Sequence, residues 1–198
     1  METGDAMNQL VEQGKVRYLA VSNRTAQQLG QEMHALATVA VNPSRRIVGV
    51  QNRYNLLQRP GVSALDDPTV EDEAAFLKAI DQAGVGLSPY MPLAVGMLTG
   101  RYRRGNLDTD GRLRERSGEG WPDTYLTEPN LDVVEAMVAM AEEKACTVAQ
   151  LTIAWLLARD EVCSVIAGVT RMAHLEDNAG AVAESLTAEE LERLDALD

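Results

Sequence analysis

The feature that most constrains the fold is a repeated alternation between short apolar segments and longer amphipathic ones. The apolar segments have the length and composition of buried strands and lie at 16–21, 47–51, 85–90 and 163–169. Strands that alternate with helices indicate a parallel sheet joined by helical crossovers. The sequence therefore predicts an α/β fold, and because no linker or internal repeat interrupts the pattern, a single domain over 1–198.

The segments between the strands have helical periodicity and recognisable ends. A capping-box pair, Thr187 and Glu190, precedes the last helix, and Gly14 and Gly84 follow two earlier ones. Helices are predicted over 2–13, 25–39, 69–83, 130–144, 147–158, 171–183 and 187–196. Residues 101–129 are predicted to form a long irregular connection, and such loops are usually functional or mobile.

Composition excludes several classes of function. The net charge of −12 argues against a broad basic face for nucleic acid. No apolar run approaches the ~20 residues that span a bilayer, and the first residues do not have a signal-peptide pattern. Two cysteines are too few for a disulfide framework, and Cys163, which opens an apolar segment, is expected to be buried and inert. We expect a cytoplasmic protein without nucleic-acid or membrane partners.

Polar or aromatic residues follow all four predicted strands, where parallel sheets bind ligands. These residues are Ser22 and Asn23, Gln51 to Tyr54, Tyr90 to Leu93, and Gly168 to Arg171. Each group also has a purely structural explanation. The first could cap a helix, Gln51 could satisfy loop backbone groups, Tyr90 could belong to the core, and Arg171 could be a surface arginine.

Two features suit phosphate, and other chemistries have little support. A strand end meets a helix start at 168–178, where backbone N–H groups and Arg171 would favour an anion. Six arginines between 101 and 116 could clamp phosphates, although without other support a solvated loop is the better explanation for them. The glycine fingerprint of Rossmann domains, the P-loop and the nucleophile elbow are absent from the sequence, and His34 and His174 lie in no metal-ligand pattern.

Four sequence blocks together resemble the C-terminal part of an aldo-keto reductase. "GKVRYLAVSN" and "VQNRYNLL" resemble the fifth- and sixth-strand segments of the family, and "GVGLSPYMPLAVGMLTGRY" resembles the seventh strand and its loop. "TVAQLTIAWLLARDEVCSVIAGVTRMAHLEDNAGAV" resembles the seventh helix, eighth strand and eighth helix. The blocks occur in the order of the family and span nearly the whole chain. The resemblance implies a partial (β/α)8 TIM barrel covering roughly the last four strands and helices.

The resemblance also implies NADP(H), bound in extended form at the carboxyl ends of the strands. Ser22, Asn23 and Gln51 would bind the nicotinamide carboxamide, and Tyr90 would stack on the ring. The remaining implied cofactor contacts are Leu93, Arg101 and Arg112 at the phosphates, Gly168, Thr170 and Arg171 at the adenosine phosphate, and His174, Asp177 and Asn178 at the adenine end. Met91 and His174 depart from the usual family residues, so one polar contact and the adenosine contacts are expected to differ.

The catalytic residues of the family are expected to lie outside this chain. By resemblance, an Asp, Tyr, Lys and His tetrad precedes the fifth-strand segment, which here starts at residue 15. We therefore assign no catalytic residue and expect reduction of a small carbonyl substrate only when the first half is supplied. The alternative is a non-catalytic nucleotide-binding or oligomerisation module, or a truncated family member. Open barrel edges would favour a homo-oligomer or association with another chain.

Overall fold

The computed structural model describes residues 2–39, 47–59, 73–107, 113, 118 and 120–197. The described chain divides into two compact units. Unit 1 comprises Met1–Arg53, Pro60–Ser88 and Glu161–Ser164, and unit 2 comprises Tyr54–Arg59, Pro89–Asp160 and Val165–Asp198. None of the described helices combines the length and apolar character needed to cross a bilayer. The expectation of a single domain stays a prediction.

Unit 1 contains a parallel sheet with helices. Its elements are α1 (Glu2–Glu12), β1 (Leu19–Ser22), α2 (Ala26–Val39), β2 (Ile47–Gln51), α3 (Glu73–Ala83) and β3 (Gly86–Leu87). In the described residues the sheet has the order β1-β2-β3, with Ala20 opposite Gly49 and Val50 opposite Leu87. Apolar side chains from the strands and from α2 and α3 form the core of this unit, including Leu29, Val50, Phe76, Ile80 and Leu87.

The third and fourth strands differ from the prediction. β3 has two residues, whereas six were predicted, and the predicted strand at 163–169 is reduced to isolated parallel bridges. In unit 1 Leu87 pairs with Val162, and in unit 2 Tyr90 pairs with Ile166. Pro89 lies between the two bridges, and since proline has no N–H to donate, it interrupts a continuous ladder.

Cys163 is exposed rather than buried, which corrects the expectation from its apolar neighbours. Its N–H donates to the Leu87 carbonyl at 2.9 Å, so one side of the residue faces the sheet. Within the described residues no further strand pairs beyond it, and the thiol, which forms no disulfide, donates to the Leu87 carbonyl at 3.4 Å. An apolar run at the edge of a sheet therefore does not guarantee burial of each residue in it.

Unit 2 is mainly helical. Its elements are a 3-10 segment (Ala94–Thr99), β4 (Tyr102–Arg103), β5 (Asn106–Leu107), α4 (Trp121–Tyr125), α5 (Glu128–Lys144), α6 (Val148–Leu157), α7 (Met172–Gly180), a 3-10 turn (Ala181–Ala183) and α8 (Ala188–Asp195). Eight of the ten residues of α6 are buried, so this helix forms the centre of the unit. Trp155 is fully buried and meets the Tyr54 ring edge-on at 5.3 Å.

The connection predicted to be irregular contains regular structure. β4 and β5 form a two-stranded antiparallel hairpin within 102–107, and α4 precedes α5. The fully buried Tyr102 accepts a hydrogen bond at its hydroxyl oxygen from the Leu113 N–H at 3.3 Å. The hairpin escaped prediction because its strands have only two residues each, which is too short for an alternating pattern to be recognised.

Candidate functional site

In unit 1 the structure brings Ser22, Asn23 and Gln51 together at the carboxyl ends of β1 and β2. The Ser22 hydroxyl donates to the Gln51 carbonyl oxygen at 2.9 Å, and the Asn23 N–H donates to the same oxygen at 3.0 Å. All three residues are exposed. Asn23 has a φ of 56°, in the left-handed region that asparagine tolerates better than most residues. The Ser22 hydroxyl and the Asn23 N–H thus hold the ends of β1 and β2 together through one carbonyl oxygen, at a place that is exposed to solvent.

Asn52 fixes this arrangement; it was placed among the strand-end residues from the sequence but was given no role of its own. Its side-chain oxygen accepts from the Arg24 N–H at 3.0 Å, and its side-chain nitrogen donates to the Arg24 carbonyl at 2.7 Å. The reciprocal pair joins the segment after β1 to the segment after β2. Arg24 in turn pairs with Glu32 of α2 at 2.6 Å. The position of Asn52 directly after Gln51, at a polar strand end, indicates in the sequence that its side chain lies near this site.

In unit 2 the segment from Tyr90 to Gly96 has an unusual backbone. Met91, Ala94 and Val95 have φ values of 55°, 45° and 59°, which L-residues with side chains rarely adopt. The fully buried Asn55, which was missed by the prediction, donates to the Met91 carbonyl at 2.9 Å. Such strained conformations concentrate at ligand sites, where surrounding contacts hold them. Tyr90 itself is half-buried, and its carbonyl accepts from the Tyr54 N–H at 3.3 Å.

The structure describes three of the arginines predicted to clamp phosphates, Arg101, Arg103 and Arg104. Arg101 is exposed, directly before β4. Arg103 and Arg104 bind carboxylates of α5 instead, with Arg103 on Glu135 at 2.6 Å and Arg104 on Asp132 at 2.7 Å. The hydrogen bonds from Arg103 hold the pKa of Glu135 below its usual range. Arg112 lies outside the described residues, as do Arg114 and Arg116.

Gly168, Thr170, Arg171 and His174 lie together at the start of α7, and all are exposed. Arg171 is the N-cap with an extended backbone, and within the described part of unit 2 no side chain caps the helix. The first-turn N–H groups therefore face outward beside a guanidinium, a combination that suits an anion. The Thr170 hydroxyl lies 3.4 Å from Nδ1 of His174.

Asp177 and Asn178, one turn further along α7, differ in their surroundings. The Thr147 hydroxyl donates to the Asp177 carboxylate at 3.0 Å, which ties α7 to the N-cap of α6. The side-chain nitrogen of Asn178 is buried, and among the described residues it has no hydrogen-bond partner. A buried donor without a partner is costly unless a ligand or water satisfies it.

The predicted site residues thus form two groups, one in each unit. Ser22, Asn23 and Gln51 belong to unit 1, and the predicted residues from Tyr90 onward belong to unit 2. Within unit 2, Tyr90 and Ile166 form a parallel bridge, so the chain leaves both residues in the same direction. No group of three or more metal-ligating side chains occurs in the residues that the structure describes.

Comparisons with known proteins identify the family to which the chain belongs. The Aldo/keto reductase family model matches residues 1–198. The chain is 32% identical over 182 residues, 91% of its length, to a probable voltage-gated potassium channel subunit beta of Arabidopsis thaliana, and covers 51% of that protein. It is 29% identical over 197 residues, 98% of its length, to the L-glyceraldehyde 3-phosphate reductase of Escherichia coli (strain K12), and covers 53% of it.

A solved structure is similar over the whole chain. It is that of a thermostable aldo-keto reductase, Tm1743, in complex with the inhibitor epalrestat, with a TM-score of 0.65 and 25% identity. The match covers 100% of this chain and 54% of that one. The chain therefore spans about half the length of the relatives it matches. On the family model and these relatives, the chain belongs to the aldo/keto reductase family.

Proposed function

We propose that this chain is the NADP(H)-binding part of an aldo-keto reductase that reduces aldehydes or ketones. The observation that carries the proposal is the buried, unpartnered amide nitrogen of Asn178 on α7. An adenine ring has ring nitrogens that accept hydrogen bonds, so it would satisfy this donor. The exposed Arg171 and the uncapped start of the same helix suit the 2′-phosphate that distinguishes NADP(H) from NAD(H). His174 and Asp177 would complete the adenosine end.

The nicotinamide end would use the strand ends. A carboxamide has both donors and an acceptor, and Ser22, Asn23 and Gln51 offer exposed groups of both kinds at one place. The half-buried ring of Tyr90 would lie against the nicotinamide face. The strained backbone around Leu93 and the guanidinium of Arg101 would bind the pyrophosphate, with Gly168 and Thr170 beside the adenosine phosphate. Arg112 would join Arg101 in this role.

Bound NADPH supplies the hydride for carbonyl reduction. The residues of this chain would bind and orient the cofactor and hold its nicotinamide ring at the carboxyl ends of the strands. We assign the proton-donating step to none of them, because by family resemblance the Asp, Tyr, Lys and His of that step precede the segment that starts at residue 15. A complete (β/α)8 barrel, of which this chain would supply part, would join the two sets of residues.

A second candidate is a nucleotide-binding subunit without catalysis. One relative is named a probable voltage-gated potassium channel subunit rather than a reductase, and this name supports the second candidate. Both candidates require cofactor binding. They differ in carbonyl-dependent oxidation of NADPH, which only the reductase would show once the catalytic residues are supplied.

We also propose that copies of this chain associate through an apolar surface of unit 2. The large apolar side chains exposed there include Ile166, Val169, Met172, Leu175 and Val182, and Met172 and Val182 are 67% and 80% exposed. Large exposed apolar side chains within one stretch of the chain would favour an interaction surface. The β1 edge of the parallel sheet, which has no further partner strand among the described residues, would favour association as well.

Titration of NADPH fluorescence tests the cofactor proposal. Asn178→Ala should weaken NADPH binding about tenfold. Loss of one hydrogen bond between neutral groups costs about 1.4 kcal/mol, and this free energy corresponds to a tenfold change in Kd. Tyr90→Ala should also weaken NADPH binding, and Arg171→Ala should reduce the preference for NADPH over NADH. Asn8→Ala is the matched control, since Asn8 is also a buried asparagine without a partner among the described residues but lies on α1. Folded wild-type protein that does not bind NADPH would contradict the proposal.

A further inference from the structure

Glu135 on α5 binds the β4–β5 hairpin with both of its carboxylate oxygens. One oxygen accepts from Nε and Nη2 of Arg103 at 3.1 and 2.6 Å, and the other accepts from the Arg104 N–H at 3.3 Å. Because a backbone donor takes part, the contact fixes the main chain of the hairpin as well as a side chain. The carboxylate is the acceptor in all three bonds, and its charge strengthens each of them.

The residue on the other side of Arg101 is fixed against the same helix. Gly100 has a φ of 72° and packs so closely that an added Cβ would lie 3.2 Å from the side chains of Val138 and Val148. Glu135 and Val138 are three residues apart on α5 and therefore share one helix face. Tyr102, which follows Arg101, is 1% exposed.

Arg101 therefore lies between two anchored points. Gly100 is held before it by packing, and Arg103 is held two residues after it by Glu135. The backbone of Arg101 cannot shift without loss of one of these contacts, while its side chain stays exposed. A phosphate contact gains most from such an arrangement, because a preorganised group loses little conformational freedom on binding.

We propose that Glu135 is a positioning residue for the phosphate-binding segment, acting through Arg103 to fix the main chain of Arg101. This inference rests on the proposed NADP(H) site. Glu135 itself touches no phosphate. Its side chain is 30% exposed and that of Arg103 is 43% exposed, and ion pairs with this much solvent contact add little to folding stability. The contribution of Glu135 therefore falls mainly on cofactor affinity.

The test compares two glutamates of α5 that each pair with an arginine. Glu135→Ala and Glu135→Gln are measured beside Glu143→Ala. Glu143 is also on α5, and its replacement removes an exposed ion pair with Arg193 of α8. Glu135→Ala should weaken NADPH binding about twofold to fivefold, the most that an ion pair with this much solvent contact can contribute, and Glu135→Gln should weaken it less because its amide oxygen still accepts. Glu143→Ala should bind NADPH like the wild type. Adenosine 2′-monophosphate, which has no pyrophosphate, should bind all four proteins equally.

The possible outcomes separate this inference from the proposed function. If the wild type does not bind NADPH, both fail. If the wild type binds and Glu135→Ala binds equally well, the positioning role is wrong and the cofactor site stands. An equal loss of affinity for NADPH and for adenosine 2′-monophosphate would also overturn it, since that pattern indicates general disruption. Should Glu135→Ala not fold, Glu135→Gln decides between these outcomes.

Discussion

At the scale of single residues, the space around a glycine decides what a methyl group there would do. An added Cβ at Gly86 in β3 would lie 2.9 Å from the Cys163 sulfur and 3.2 Å from its Cβ. At Gly30, in the interior of α2, no atom of the described residues outside its chain neighbours and its own helix backbone lies within 4 Å of the added atom. The same substitution therefore meets a steric clash at one position and open space at the other.

Gly86→Ala should destabilise the protein by about 1–3 kcal/mol, the usual cost of overpacking. Gly30→Ala should stabilise it by up to about 1 kcal/mol, because alanine is the better helix former. Urea unfolding measures both changes, and each variant is the control for the other. Cys163→Ala added to Gly86→Ala should recover part of the loss by removing the sulfur. Equal effects of the two glycine substitutions would show that local space is not what distinguishes them.

Which parts of the site the sequence could predict also depends on the residue. Ser22, Asn23 and Gln51 were placed at neighbouring strand ends by the parallel-sheet pattern alone, and the structure brings them together. Arg103 could not be separated from Arg101 in this way. Both lie in one basic stretch of the sequence. Arg103 binds Glu135 of α5, which is 32 residues further along the chain and comes close only in the folded protein. Such long-range pairs leave no local signal.

At the scale of elements, helices were predicted more accurately than strands. The capping-box pattern at Thr187 is confirmed, with hydrogen bonds in both directions between Thr187 and Glu190. The signals that end a helix lie within a few residues of the end, so they can be recognised in the sequence. The length of β3 depends on pairing with a distant segment that Pro89 interrupts, and apolar composition alone does not report this.

The cap of α8 should make stability depend on pH. The Thr187 N–H donates to Glu190 at 2.7 Å, and Lys144 of α5 pairs with the same carboxylate at 2.9 Å. These contacts hold the pKa of Glu190 below its ordinary value of 4.5. A carboxyl whose pKa is lowered on folding stabilises the protein above the unfolded-state pKa, and this contribution disappears as the pH falls through the folded-state pKa.

Glu190→Gln should therefore cost about 1 kcal/mol near neutral pH, because the neutral amide loses the ion pair with Lys144 and the charge that strengthens the bond from the Thr187 N–H. The difference from the wild type should shrink as the pH is lowered below 4.5. Urea unfolding at a series of pH values measures this difference directly. Glu189→Gln removes one charge from the same first turn without touching the cap and is the control. A difference between Glu190→Gln and the wild type that stays constant down to pH 3 would contradict the assignment.

At the scale of the whole molecule, four sequence blocks in a fixed order identified the family, and the family model confirms it over residues 1–198. The order of motifs along a chain is a property of the sequence itself. The chain spans about half the length of its relatives, and its sequence does not report what the other half of those proteins contributes. The partial barrel, the catalytic residues and the partners therefore remain proposals.

Association through unit 2 is the prediction that belongs to this scale. Met172 and Leu175 are three residues apart on α7 and face the same way, with 67% and 46% of their surface exposed. Replacing both with glutamine removes apolar surface that a second copy would cover. In light scattering behind size-exclusion chromatography, the wild type should show a mass above that of the monomer that rises with concentration. Met172→Gln/Leu175→Gln should shift the distribution toward the monomer.

Leu157→Gln is the control for this association experiment, because Leu157 is an exposed leucine on α6 rather than α7. It should associate like the wild type, since one leucine outside the surface adds little to a contact between copies. Urea unfolding of the double variant should match that of the wild type, because substitutions of exposed side chains change the free energy of unfolding little. A wild type that stays monomeric at every concentration, and folded, would show that the apolar surface of α7 does not bind a second copy.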